Sequence, residues 1–352
     1  MIDSTTSASA PMKRYWGRQA SALVFGLATS LAPVDASAQS SGEGGSMQEQ
    51  TAQSAFGHLK ASDSIEDLLA HPAFASFAAQ LLPWDGRTYD GGMLLQDIGA
   101  LLPYHSAVNP EDVVAGLNRM VDDVNQGQTV FYDIYTEAER DADPSKRNTG
   151  VFFYRGHPGE PFAVISPGGG FAYVGSVHEG FPYAQEISRL GYNAFVLRYR
   201  AGYGGTVATE DLAAAISWIF RNADQLGVDT ANYSVWGSSA GARMAAFIGS
   251  HGVAEFGGDD VPKPATVVMA YTAHSDHSET EPPTFVVVGD WDGIAPASSM
   301  ERRIGVLQEL GTEVEYHRYP NVGHGFGAGT GTSAEGWLAE AVRFWKAHLS
   351  PP

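Results

Sequence analysis

Tyr233-Ser234-Val235-Trp236-Gly237-Ser238-Ser239-Ala240-Gly241 runs from a short apolar segment into a Gly-x-Ser-x-Gly and on into the helix-like stretch Ala240 to Ile248. A nucleophile at a sharp strand-to-helix turn needs glycine two positions to either side, because the strained backbone and the crossing helix leave no room for Cβ atoms. Ser239 is the expected nucleophile. Five residues with three fixed recur by chance, so the context carries the reading. Gly331-Thr332-Ser333-Ala334-Glu335 has half of the pattern but no preceding strand, and reads as a turn.

On both sides of this turn, strand-like and helix-like segments alternate. Phe162 to Ile165, Tyr192 to Leu197, Tyr233 to Trp236, Val267 to Met269 and Phe285 to Val288 are short apolar runs of the buried kind, and Val314 to Tyr319 is a further strand. Phe131 to Tyr135 and Val151 to Tyr154 read as antiparallel edge strands. Asp211 to Asn222 has a helical face made by Leu212, Ile216, Ile219 and Phe220. The alternation predicts an α/β fold with a mostly parallel sheet and helices on both faces.

Three further loops follow predicted strands. Ser166-Pro167-Gly168-Gly169-Gly170-Phe171 offers backbone N–H groups unobstructed by side chains to a developing oxyanion, each such donor being worth ~3 kcal/mol of barrier. It is not a dinucleotide loop, because Tyr173 stands where the last glycine of G-x-G-x-x-G is required. Gly289-Asp290-Trp291-Asp292 offers two carboxylates, and Gly323-His324-Gly325-Phe326 an imidazole. Serine, acid and histidine therefore come in that order, each after a strand.

This order, with Leu226-Gly227-Val228-Asp229 leading into the serine turn, makes residues from about 149 to 349 resemble the α/β-hydrolase fold and, within it, bacterial serine esterases and acetylesterases. The resemblance implies that Ser239 attacks an ester carbonyl, that His324 takes its proton and that Asp292 orients the imidazole, the residues alone leaving Asp290 open as the acid. It also implies an oxyanion hole built from the N–H groups of Gly168, Gly169 and Ala240. Many of these esterases have histidine before the triple glycine; here Pro167, which cannot donate a hydrogen bond, takes that place. The implied activity is hydrolysis of short-chain acyl esters, on a small molecule or a carbohydrate, without cofactor or metal. A serine peptidase or amidase of the same fold and a non-catalytic binding protein are the alternatives.

The segment before the first strand is of another kind. Lys13, Arg14 and Arg18, the apolar stretch Ala20 to Ala32 and the small residues Ala36-Ser37-Ala38 read as a signal peptide over residues 1–38, with Met12 an alternative start. The apolar run is shorter than the ~20 residues a membrane span needs. Residues 39–57, rich in Ser, Gly and Gln, read as a flexible linker. Residues 58–127 read as a helical appendage or lid: Phe74, Phe77, Ala78 and Leu81 share one face, as do Leu94, Leu95, Ile98 and Leu102. A third helix opens at Asn109-Pro110 and carries Val113, Leu117, Met120, Val121 and Val124. Residues 128–352 then form the catalytic domain.

Composition sets the outer limits. The 352 residues are 43% hydrophobic and contain no cysteine, so the chain buries a full core without disulfides and offers no thiol to lipidate or oxidise outside the cell. Forty acidic against 21 basic residues, a net charge of −19, leave no footprint for phosphate backbones, and nucleic acid is not an expected partner. The expected location is periplasmic or secreted.

His274, Asp276, His277 and Glu279 fit no standard zinc spacing and read as a solvated loop near the rim of the site. His178-Glu179 lacks the second histidine of a zinc-protease helix and reads as the start of a helix bordering the substrate. Trp236 and Trp291, next to strand ends, read as core.

Overall fold

The computed structural model describes residues 55–350; the expected signal peptide and most of the expected linker lie outside them. Eight strands form one sheet: β1 (Phe131–Asp133), β2 (Gly150–Tyr154), β3 (Pro161–Ser166), β4 (Asn193–Arg198), β5 (Asp229–Ser238), β6 (Thr266–Ala270), β7 (Thr284–Gly289) and β8 (Val314–Tyr319). Their order is β1-β2-β4-β3-β5-β6-β7-β8. β1 pairs with β2 and β2 with β4 antiparallel; all other pairs are parallel. Only β1 of the two expected edge strands is an edge, since β2 is covered by β4 on its other side.

The continuous apolar runs are explained by burial on both faces. Along β3, Ala163 and Ile165 face one core and Phe162 and Val164 the other; along β7, Phe285 and Val287 oppose Val286 and Val288. One face is covered by the helices Gly204–Arg221, Ala240–His251 and Ala297–Glu309. The other is covered by Phe181–Arg189, Trp337–Ala347 and the segment before β1.

That segment is packed into the core. Phe74, Leu81, Leu95, Ile98, Leu117 and Met120 are all buried in one cluster with Phe152 and Phe181. Asn109 caps the helix Pro110–Asn125 by accepting the Glu111 N–H at 2.9 Å, as its sequence predicts. Tyr154 donates to the carbonyl of Gly116 at 2.9 Å, and a Cβ at Gly116 would stand 2.9 Å from that of Phe181. The helical faces expected before it are less regular. Pro72–Phe74 is a 3₁₀ turn, Ala78–Leu81 a single α turn, and Leu95–Leu101 a 3₁₀ helix. Leu95, Ile98 and Leu101 are its buried residues, the three-residue spacing that 3.0 residues per turn stacks on one side.

Candidate active site

The serine turn follows from local sterics. Ser239 has φ 50° and ψ −113°, a strained conformation between β5 and the helix Ala240–His251, and its N–H donates to the Ala270 carbonyl at 2.9 Å. A Cβ on Gly237 would collide with the backbone of Gly241, and one on Gly241 with the carbonyl of Ser166 at the end of β3. Both glycines are thus demanded by close approach. The strain lifts the Ser239 hydroxyl out of the sheet, half-buried, at the helix N-terminus.

The loops after β7 and β8 complete the site. His324 Nε2 lies 2.8 Å from Ser239 Oγ, and His324 Nδ1 lies 2.7 Å from Asp292 Oδ2. Asp292 and His324 are 6% and 8% exposed, which keeps this relay largely out of water. The second oxygen of Asp292 accepts the N–H groups of Ile294 at 2.9 Å and Ala295 at 2.7 Å, so the carboxylate is held from behind. The choice between the two acids is made by geometry. Asp290 is exposed and accepts the Asn321 N–H at 2.7 Å, closing the loop without touching the imidazole.

The glycine loop departs from expectation in one donor. The Gly168 N–H is taken by Oε2 of Glu179, so Gly168 leaves the predicted oxyanion set. Among the described residues, the N–H groups of Gly169 and Gly170 have no protein acceptor, and that of Ala240 lies in the unpaired first turn of its helix. A Cβ at Gly168 would stand 3.0 Å from that of Ser239, which places the loop against the nucleophile.

Several residues of the site were not legible beforehand. Ser106 donates through Oγ to the His324 carbonyl at 2.7 Å and through its N–H to the Gly325 carbonyl at 3.0 Å. Glu179 and His178, expected at the substrate border, are buried in the π-helical turn Ser176–Gly180. His178 Nε2 donates to the Gly325 carbonyl at 2.9 Å; burial, reinforced by nearby His105, pushes its pKa down to about 4. The His-Glu dipeptide was the only signal, and it carries no register that tells a buried pair from an exposed one.

Elsewhere the outcomes are mixed. His274 is buried against Phe247, which departs from the expected solvated loop, while Asp276 meets His251 at 2.5 Å and His277 and Glu279 are exposed, so these four do not converge. Ser333 lies in a turn and donates to the Pro320 carbonyl at 2.6 Å. Trp236 is core as expected, but Trp291 is 67% exposed. The loop backbone is pinned at this point and one residue before it, by Asp290 N–H to the Tyr319 carbonyl and Trp291 N–H to the Val322 carbonyl, with the indole outside. No helix among the described residues is long and apolar enough to cross a membrane.

Residues 158–302 match the BD-FAE family, a span holding the glycine loop, Ser239 and Asp292; residues 254–351 match the prolyl oligopeptidase family and hold Asp292 and His324. The chain has the α/β-hydrolase fold. The chain is 20% identical over 232 residues to an acetylxylan esterase of Xylanibacter ruminicola, covering 57% of this chain and 48% of that protein. It is 23% identical over 220 residues to endo-1,4-beta-xylanase B of Butyrivibrio fibrisolvens, covering 49% and 34%. The chain thus spans about half or less of the length of these curated relatives. Among solved structures it resembles the acetyl ester-xyloside bifunctional hydrolase of Caldicellulosiruptor lactoaceticus, with a TM-score of 0.52 at 20% identity over 62% of this chain and 95% of that one. It also resembles a propionate-bound thermophilic esterase of Thermogutta terrifontis, with a TM-score of 0.50 at 19% identity over 58% and 92%. At these identities the likeness speaks to the fold.

Proposed function

We propose that this hydrolase is a serine carboxylesterase that removes short acyl groups, acetyl foremost, from carbohydrate esters through an acyl-enzyme. The unbroken hydrogen-bond relay from Ser239 through His324 to Asp292 carries the reading. Ser239 Oγ attacks the ester carbonyl as its proton passes to His324 Nε2; the carbonyl oxygen becomes an oxyanion facing the free N–H groups of the glycine loop and Ala240. Collapse breaks the bond to the alcohol, which leaves with the proton from His324. Water then gives its proton to His324 and its oxygen to the acyl carbon, releasing acid and free Ser239.

Support for a carbohydrate alcohol is twofold. Two of the relatives named above are called an acetylxylan esterase and an acetyl ester-xyloside hydrolase. Trp291, beside Asp292, and Tyr104, whose ring lies 3.0 Å from where a Cβ on Gly170 would be, expose 67% and 44% of their surface next to the site. Such rings suit the apolar faces of sugars.

A peptidase is the second reading, favoured by the match to the prolyl oligopeptidase family over residues 254–351. Export to the periplasm or beyond rests on residues 1–38. The deciding experiment sets p-nitrophenyl acetate to decanoate, acetylated xylan and aminoacyl p-nitroanilides before the wild type and Ser239→Ala. Hydrolysis confined to short esters, with acetate released from xylan and both abolished by Ser239→Ala, is expected. Anilide cleavage exceeding ester cleavage would replace the esterase by a peptidase.

A further inference from the structure

Under the glycine loop lies a polar cluster that the relay does not use. Glu179 is fully buried, and its two oxygens accept everything within reach: Oε2 the Gly168 N–H, Oε1 the Tyr271 hydroxyl at 2.8 Å and His105 Nε2 at 3.0 Å. The His105 and Glu179 side chains are 2% and 0% exposed. His105 Nδ1 meets the Tyr173 hydroxyl at 2.8 Å. The Tyr271 hydroxyl lies 3.0 Å from that of Tyr183, which lies 3.0 Å from Ser238 Oγ. Because a carboxylate only accepts, these hydroxyls form one directed chain, Ser238 to Tyr183 to Tyr271 to Glu179. Tyr271 also accepts the Gly327 N–H at 3.3 Å. One carboxylate thereby links the glycine loop, the residue before the nucleophile, the loop after His324 and the segment before β1.

The charge has a physical cost and a physical answer. Burial pushes the Glu179 carboxyl up, but His105, His178 and the Tyr271 hydroxyl outweigh it and hold it down at about 2. A buried carboxylate is tolerable only when its lone pairs are filled, and here they are. Pro167, which precedes the loop, contributes only its carbonyl, accepting Tyr199 at 3.0 Å. Having no N–H, Pro167 donates no hydrogen bond to the loop.

We propose that Glu179, paired with His105, is the positioning residue of the oxyanion loop. Holding the Gly168 N–H on the inner side turns the next two peptides, so that the N–H groups of Gly169 and Gly170 point over Ser239. This inference rests on the esterase reading and deepens it. The segment before β1 thus supplies a working part of the site through His105.

The test uses the full chain and measures kcat and KM on p-nitrophenyl acetate, inhibition by phenylboronic acid, which forms a tetrahedral adduct with an active serine, and thermal melting. Glu179→Ala is expected to lower kcat about 10²-fold, the loss of one oxyanion donor, with KM within about threefold and boronate affinity falling in step with kcat. His105→Ala should reproduce the effect, and the double variant should be no worse than Glu179→Ala, because the two act as a unit. If Glu179→Ala does not fold, isosteric Glu179→Gln is judged by the same readouts. A folded variant that loses less than about tenfold in kcat, or loses kcat while holding boronate at wild-type affinity, overturns the inference. Wild-type activity that survives Ser239→Ala overturns instead the esterase reading beneath it.

Discussion

His324 is held from two directions that have little in common. On one side stand the loops after β5 and β7, short, anchored to a parallel sheet, each presenting one side chain at a strand end: Ser239 and Asp292. On the other stands the irregular stretch Tyr104 to Ser106, which bonds to His324 at its backbone carbonyl, pairs with Glu179 beneath the glycine loop and lays the Tyr104 ring beside Gly170. The first group meets the two ring nitrogens of the imidazole; the second bonds to the backbone of His324 and to the carboxylate under the glycine loop. A sheet gives strand-end side chains a shared rigid origin, so chemistry gathers there. The supporting shell can come from any segment with a polar atom at the right height.

The largest effect that tests this contrast is on the acid. Asp292→Asn should lower kcat about 10⁴-fold by forcing the wrong imidazole tautomer, whereas Asp290→Asn should stay within about threefold. Comparable losses at both would erase the distinction between an acid on the relay and one that closes a turn. Next comes the fold of the nucleophile turn. Gly241→Ala drives a methyl into the Ser166 carbonyl and should destabilise the chain by about 3 kcal/mol or more, read from urea denaturation. A stable, active Gly241→Ala would mean that the glycine serves something other than close packing.

The buried histidine of the supporting shell makes a third prediction. His178 is held neutral down to about 4, while an unfolded imidazole protonates near 6.5. Between those values the unfolded chain binds more protons, so stability falls as pH drops through the window, by up to about 1.4 kcal/mol per unit for this group. His274, pushed down to about 4 by burial and by Arg303, acts in the same sense. Urea midpoints at pH 7.5 and 5 should therefore differ, and His178→Gln should shrink the difference; an unchanged difference would place the acid sensitivity elsewhere. The smallest effect belongs to Ser106→Ala. Losing its 2.7 Å bond to the His324 carbonyl should cost about 1 kcal/mol and lower kcat about tenfold with KM nearly unchanged. A KM effect alone would make Ser106 a substrate contact.

The pattern of what could be read in advance follows the same division. Gly237, Ser239 and Gly241 lie within five residues, so sterics acting along the chain reveal them. The inner strands β3, β6 and β7 are visible because burial on two faces forces continuous apolar runs, whereas the edge strand β8, with Glu315, His317 and Arg318 among its residues, is only partly buried. Leu94, Leu95, Ile98 and Leu102 read as one α-helical face, whereas the 3₁₀ helix buries Leu95, Ile98 and Leu101, because one turn of 3₁₀ and one of α place apolar residues almost alike over so short a span. Trp291 reads as core because it stands next to a strand end, where large aromatics usually pack inward; the turn that carries it leaves the ring outside.

By itself the sequence determined the order of elements and the parallel sheet, and singled out Ser239, His324 and a pair of carboxylates as candidates, because each is written in local periodicity, in close-range glycine sterics or in its place after a strand. Tertiary structure alone decided that Asp292 and not Asp290 faces His324, and that the Gly168 N–H belongs to Glu179. It alone brought His105 and Ser106 to the site from more than two hundred residues before His324 in the chain. Those choices rest on directional hydrogen bonds between distant segments, and a bond of that kind leaves no spacing behind in the chain.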